Sequence, residues 1–311
     1  MSDNQYSPTY LPYLVMLASP LFFSSNLVFG RYVSGEIAPF LLATIRWSCV
    51  ALILSPFVFR HRATVGPLLR GELKRLALLG FLGMGVCGGG IYLALNFTTA
   101  TNGTLIYTTS PVLIIVLERV LYGRRSHARE MVGTIAAFAG VAVIVLRGSF
   151  ETLWSLSFNL GDVLVLLAAF GWAGYSILYR SEPIRRASNL MLFGLVAMFG
   201  ALVNLPMAVW ELSRGHGFPA GLHSWMAISG IIFISSLLAF STYQYGVRTL
   251  GASIAGVFMY LMPPCGVGLS VIFLGEEFHF YHATGIALVM AGVIVATFPS
   301  GLFRRRVENK S

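Results

Sequence analysis

Residues 111–143, PVLIIVLERVLYGRRSHAREMVGTIAAFAGVAV, return at 263–295 as PPCGVGLSVIFLGEEFHFYHATGIALVMAGVIV, at a constant spacing of 152 residues and without a gap. Pro111 and Pro263, Gly123 and Gly275, His127 and His279, Gly133 and Gly285, and Gly140 and Gly292 are matched pairs. Each copy reads as two apolar helices joined by a short polar turn. Arg124 and Arg125 in the first turn stand where Glu276 and Glu277 stand in the second. Cytoplasmic turns of membrane proteins collect Lys and Arg, so a basic turn in one copy and an acidic one in the other predict two units lying upside down to each other in one bilayer. Inverted repeats are a common construction of secondary transporters.

Composition fits a membrane chain. With 56% hydrophobic and 11% charged residues over 311 positions, there is too little polar material to solvate a soluble surface. A spanning helix needs about 20 apolar residues, and ten such stretches follow one another, at roughly 11–30, 38–59, 75–97, 102–122, 128–147, 160–181, 188–211, 223–247, 250–274 and 279–299. A second echo, LPYLVMLASPLFFSSNLVFGR at 11–31 against LGDVLVLLAAFGWAGYSILYR at 160–180, extends the duplication to the start of each half. The predicted fold is therefore an all-α integral membrane protein, ten transmembrane helices arranged as two inverted five-helix repeats. The divisions are a tail at 1–10, a first repeat at 11–147, an external linker at 148–158, a second repeat at 159–299 and a basic tail at 300–311. The opening MSDNQYSPTY lacks the basic start of a secretory signal, so the first span is expected to be retained.

The net charge of +9 does not point to nucleic acid, because the bases sit in turns between spans. One set of turns and tails holds Arg60, Arg62, Arg70, Lys74, Arg75, Arg124, Arg125, Arg129, Arg180, Arg185, Arg186, Arg248, Arg304, Arg305, Arg306 and Lys310; the other holds Arg31, Arg147 and Arg214. Both termini are thus expected in the cytoplasm, with the protein in the plasma or inner membrane. Cys49, Cys87 and Cys265 fall inside apolar segments and read as packing residues rather than a disulfide framework. No metal-ligand spacing, nucleotide-binding loop or cofactor motif stands out, and GMGVCG at 83–88 lacks the strand a dinucleotide fingerprint needs. Its glycines read as a smooth face for close helix packing.

Function must then reside among the helices. Pro111 in the fourth span and Pro263 and Pro264 in the ninth each remove a backbone donor and free a carbonyl that lipid cannot satisfy. As symmetry mates they mark a hinge or cavity wall, the alternative being a static kink. Asn26, Tyr92, Asn102, Tyr107, Trp172, Tyr175, Gln244 and Tyr260 cluster near these kinks as candidate substrate-binding residues, with helix–helix packing the bland reading. Tyr243, Tyr245 and Trp225, near span ends, equally suit the interfacial belt. Arg46 lies ~12 Å in from its helix end, where an unpaired ion is costly; it either binds a substrate carboxylate or clamps backbone carbonyls. Glu118 is either a proton carrier or a partner for neighbouring bases. Asp162, three residues after Asn159, reads as a helix cap.

The segment PFLLATIRWSC around Arg46, together with LGEEFHFYHATGIALVMAGVIVA at 274–296 and its partner GRRSHAREMVGTIAAFAGVAVIV at 123–145, resembles the ten-helix drug/metabolite transporters of the EamA type over residues 11–299. That resemblance implies alternating access between inverted halves, export of amino acids and other small metabolites, and a path lined by the third, fourth, eighth and ninth helices, hence by Tyr92, Asn102, Tyr107, Gln244 and Tyr260. The family's Gly-Glu pair is kept at Gly275-Glu276 and lost at Gly123-Arg124. The expected function is a secondary transporter, an exporter, of a small neutral or zwitterionic metabolite, with protons as a conceivable coupling ion. A membrane sensor without transport and an intramembrane enzyme are the alternatives.

Overall fold

Apolar runs longer than a bilayer is thick leave the backbone one way to satisfy its own N–H and C=O groups, the helix, and helices are what these runs form. The computed structural model describes residues 10–297 apart from 34, 125, 155–158 and 180, with no strand among them; Arg125, Arg180 and most of the two tails, including Arg304, Arg305, Arg306 and Lys310, lie outside the described residues. Ten helices are long and apolar enough to span: α1 (Leu11–Val33), α2 (Pro39–Arg60), α3 (Arg62–Ala94), α4 (Ala100–Tyr122), α5 (Ala128–Val145), α6 (Leu160–Leu178), α7 (Asn189–Ser213), α8 (Leu222–Leu250), α9 (Ala252–Leu274) and α10 (Phe280–Thr297). The expected spans are all present. One differs at its start, because the connection expected around residues 60–74 is itself helical and joins α3 across a single non-helical residue, Glu72 (φ −124°, ψ 16°). A short helix, Phe150–Trp154, also sits in the segment between α5 and α6.

Where equivalent helices of the two halves meet, they pack antiparallel, which is what inversion requires. On α5 and α10, a Cβ at Gly140 would lie 2.6 Å from the Val289 amide nitrogen and 2.7 Å from the Gly285 carbonyl oxygen, while Gly133 meets Gly292 and Ala296 further along. Residue numbers rise on one helix as they fall on the other. Without a hydrophobic force between helices in lipid, small residues that let backbones touch provide the adhesion. The α2–α7 pair repeats the pattern with Leu54 and Val58 against Gly194, and at its far end Glu211 accepts hydrogen bonds from the amides of Phe40 (3.1 Å) and Leu41 (2.7 Å). This carboxylate satisfies the first-turn donors of α2, whose own cap position, Ala38, has no side chain able to do so.

Both repeats distort their helices at the same places. Phe81–Gly90 in α3 and Ile231–Leu238 in α8 are π-helical, a wide-turn geometry that recurs at functional sites. α4 is interrupted at Thr108 and Thr109 just before Pro111, and α9 tightens to a 3₁₀ turn over Met259–Leu261 just before Pro263 and Pro264. The Thr108 and Thr109 hydroxyls donate to the carbonyls of Leu105 (2.8 Å) and Ile106 (2.7 Å), satisfying acceptors that the kink exposes. α4 and α9 then end alike, on Gly123 (φ 63°) and Gly275 (φ 67°) in the left-handed conformation, which glycine adopts without a Cβ clash.

Candidate functional site

Between the halves lies a cavity of ≈ 460 Å³, within the range of small-molecule sites, walled by α1, α2, α3, α4, α6, α8 and α9. α4 and α9 form its two sides like scissors. At one end they touch: a Cβ on Gly256 would lie 2.8 Å from Ile114 Cδ1, and the Ser253 hydroxyl donates to Glu118. Toward the other end they part, and Thr104 and Thr108 face the space opposite Gly266 and Ser270.

Of the residues singled out in the sequence, Asn26, Tyr92, Tyr107, Trp172 and Tyr260 lie on the cavity wall, as do Pro111, Pro263 and Arg46. Tyr92 joins three helices, its hydroxyl lying 3.1 Å from Asn26 Nδ2, 3.2 Å from Asn26 Oδ1 and 3.3 Å from Arg46 Nη1. Asn102, Tyr175, Gln244, Pro264 and Glu118 do not line the cavity. Asn102 turns to Asp162 (Nδ2 to Oδ2, 3.3 Å), which also accepts from Thr98 (2.5 Å) and forms the expected capping box with Asn159, so it ties the α3–α4 turn to the start of α6. Gln244 Nε2 donates to the Tyr175 hydroxyl at 2.7 Å, both side chains fully buried. The pair spans α6 and α8 away from the cavity wall, and the Gln244 Oε1 is left buried without a partner among the described residues.

Trp47, Phe23 and Phe240 complete the wall, and sequence reasoning missed them. Phe240 packs edge-on to Trp47 (centroids 4.9 Å apart) and Trp172 (5.7 Å); Trp172 stacks on Tyr175 (5.4 Å, 22°). Tyr243 is fully buried in the same pile, 4.8 Å from Trp172 and 2.7 Å from the Ser176 hydroxyl, rather than in an interfacial belt. The aromatic pile forms the cavity floor. Beyond it the closed end is knitted by buried polar contacts: Arg124 Nη1 reaches Glu118 at 3.3 Å and Glu130 at 2.8 Å, with both carboxylates buried. At the opposite end the cavity reaches Glu276, paired with Arg31 at 2.6 Å where both side chains are exposed.

Arg46 does two things at once. Its Nε donates to the Ser236 hydroxyl at 2.5 Å and its Nη2 to the Ser235 carbonyl at 3.0 Å, both in the π-helical stretch of α8. One backbone carbonyl and one hydroxyl of α8 are thus held by a side chain that also borders the cavity.

A bundle of inverted halves around a polar-and-aromatic cavity, carried by ten bilayer-length helices, is that of an integral multi-pass membrane protein. The chain belongs to the EamA-like transporter family, whose model matches residues 11–146 and again 159–298; it is a membrane transporter. It is similar to the uncharacterized transporter YyaM of Bacillus subtilis (24% identity, covering 94% of each chain) and to an uncharacterized transporter of Archaeoglobus fulgidus (26%, covering 92% of this chain and 96% of the relative). It is also similar to the uncharacterized inner membrane transporter YedA of Escherichia coli (24%, covering 85% and 83%). A solved crystal structure shares the fold, with a TM-score of 0.70 at 21% identity over 92% of this chain and 97% of the other.

Proposed function

We propose that the chain is a secondary transporter that moves a small neutral or zwitterionic metabolite across the plasma or inner membrane by alternating access, in the direction of export, with apolar or aromatic amino acids the leading candidates. The observation that carries this reading is the one-sided cavity between α4 and α9, considered with the 152-residue symmetry. The closed-end contacts Ile114–Gly256 and Glu118–Ser253 map, on exchange of the halves, onto Gly266–Thr104 and Ser270–Thr101. Thr104, Gly266 and Ser270 now line the open cavity. If each half adopts the other's conformation, those residues meet, the mouth closes and the opposite end opens. Two packings of one sequence pattern then differ little in energy, as a bistable device needs.

The basic turns α2–α3, α4–α5, α6–α7 and α8–α9 share the closed end, which supports a cytoplasmic placement for it and for both termini. In that placement the cavity faces outward. The aromatic floor suits a ligand with an apolar body, and Asn26, Tyr92 and Tyr107 supply hydrogen-bonding groups. Counterflow of labelled amino acids into proteoliposomes tests the reading: exchange of label supports transport, and binding without exchange favours a sensor or accessory role. Repeating the assay with and without a pH gradient, for native protein and Glu118→Gln, decides proton coupling; equal rates throughout remove it.

A further inference from the structure

α2 brings a cation to the cavity wall without a counter-ion. Among the described residues no carboxylate pairs with Arg46, whose side chain is buried apart from what it presents on the wall (6% exposed). Its contacts are the Ser236 hydroxyl, the Ser235 carbonyl and the Tyr92 hydroxyl. A guanidinium has five N–H donors, so these three leave one on each terminal nitrogen. The group is held 4.6 Å from the Trp47 ring centroid and 6.0 Å from that of Phe240, positions in which ring faces favour a cation and fix its orientation.

The other half shows that the structural task does not need this charge. There, α7 clamps the π-helical stretch of α3 with a neutral side chain, Asn204 Nδ2 donating to the Met84 carbonyl at 3.1 Å and the Gly200 carbonyl at 2.7 Å. α2 and α7 are equivalent helices, as are α3 and α8. Asn204 is not the symmetry mate of Arg46, standing sixteenth in α7 where Arg46 stands eighth in α2, but it shows that such a clamp can be built without holding a charge inside the membrane. Glu276 is the other charged residue on the wall among those described, and it sits at the mouth with Arg31.

We infer that the Arg46 guanidinium is the receptor for a carboxylate on the transported solute, and that this carboxylate, not an ammonium group, is the charge the site reads. The inference rests on the cavity being the transport site. The two remaining N–H groups take the carboxylate oxygens through charge-assisted bonds, the Tyr92 and Asn26 polar groups lie beside them, and the solute's apolar body lies against Phe23, Trp172 and Phe240. An ammonium would meet hydroxyls and carbonyls such as those of Ser24 and Thr108, with no opposing charge at depth. The solute is then a zwitterion with an apolar or aromatic body, read through its carboxylate; a simple organic acid of the same body is also accepted, and amines without a carboxylate are refused.

Three probes of one body test this on the native protein: 3-phenylpropionate, with a carboxylate alone, phenylalanine, with both charges, and phenylalaninamide, with an ammonium alone. Melting temperature and counterflow are read for each. Both carboxylates are expected to raise the melting temperature and to exchange, with the amide at least tenfold weaker, and Arg46→Lys, which keeps the charge but loses the fork, to weaken both carboxylates at least fivefold while leaving the amide unchanged. Amide binding as tight as that of the acids overturns the inference, as does an Arg46→Lys protein that is folded and binds acids as the native does. Exchange of the amide alone would sink the carboxylate site and leave transport standing. Arg46-dependent stabilisation by acids with no exchange of any solute would do the reverse.

Discussion

The two ends of the α4–α9 pair are made from matched stretches of sequence and are held in opposite ways. At the closed end Glu118, Ser253, Arg124 and Glu130 form buried polar contacts around a helix crossing at Gly256 and Ile114. At the open end the ion pair beside the cavity mouth is Arg31–Glu276, with side chains 56% and 45% exposed. Buried hydrogen bonds to a charged group contribute about 1.5–3 kcal/mol each, whereas exposed ion pairs contribute ~0–1. Between α4 and α9 the imbalance favours the end that holds Glu118, and it locates part of the free energy a bound solute must offset.

The comparison can be broken outright by disrupting the α5–α10 seam, where the two halves meet backbone to backbone. Gly140→Leu places a side chain where the Val289 and Gly285 backbones now lie, and overpacking of this kind costs about 3 kcal/mol; the expected result is a steep fall in melting temperature in detergent, and retention of the native value would mean that α5 and α10 do not meet along this seam. A smaller change sharpens it. Glu118→Gln removes the charge that faces Arg124 while keeping the shape, and is expected to shift the balance toward opening of this end by about 1.5 kcal/mol, roughly tenfold, read as increased labelling of a cysteine placed at Ser253. The smallest effect belongs to Arg31→Ala at the mouth: less than ~0.5 kcal/mol in stability, measured by denaturation at low and high salt.

Sequence alone specified most of the architecture because the forces that set it are local or periodic. Bilayer-length apolar runs dictate helices, the 152-residue echo dictates two like units, and the Arg124/Glu276 exchange dictates inversion; the antiparallel Gly133–Gly292 and Gly140–Gly285 contacts are the physical consequence. The cavity wall was legible where polarity sits inside a span, as at Asn26 and Tyr107. It was illegible for Trp47 and Phe240, since helices hydrophobic all round give no periodic signal for the inward face; Trp210, of the same type as Trp47, is half exposed. Tyr175 and Gln244 misled for a different reason, since their partner is each other, 69 positions apart. The one visible hint of the α8 contact to Arg46 was the Ser235-Ser236 pair in an otherwise apolar stretch.

Alternating access between inverted halves is the central claim, and paired cysteines test it most directly. In a background with Cys49, Cys87 and Cys265 replaced by alanine, one protein carries Ile114→Cys with Gly256→Cys and another Thr104→Cys with Gly266→Cys. Oxidative cross-linking without solute should join the first pair and spare the second; a saturating transported solute should lower the first yield and raise the second. Yields that stay fixed, or rise together, during active counterflow would contradict the account.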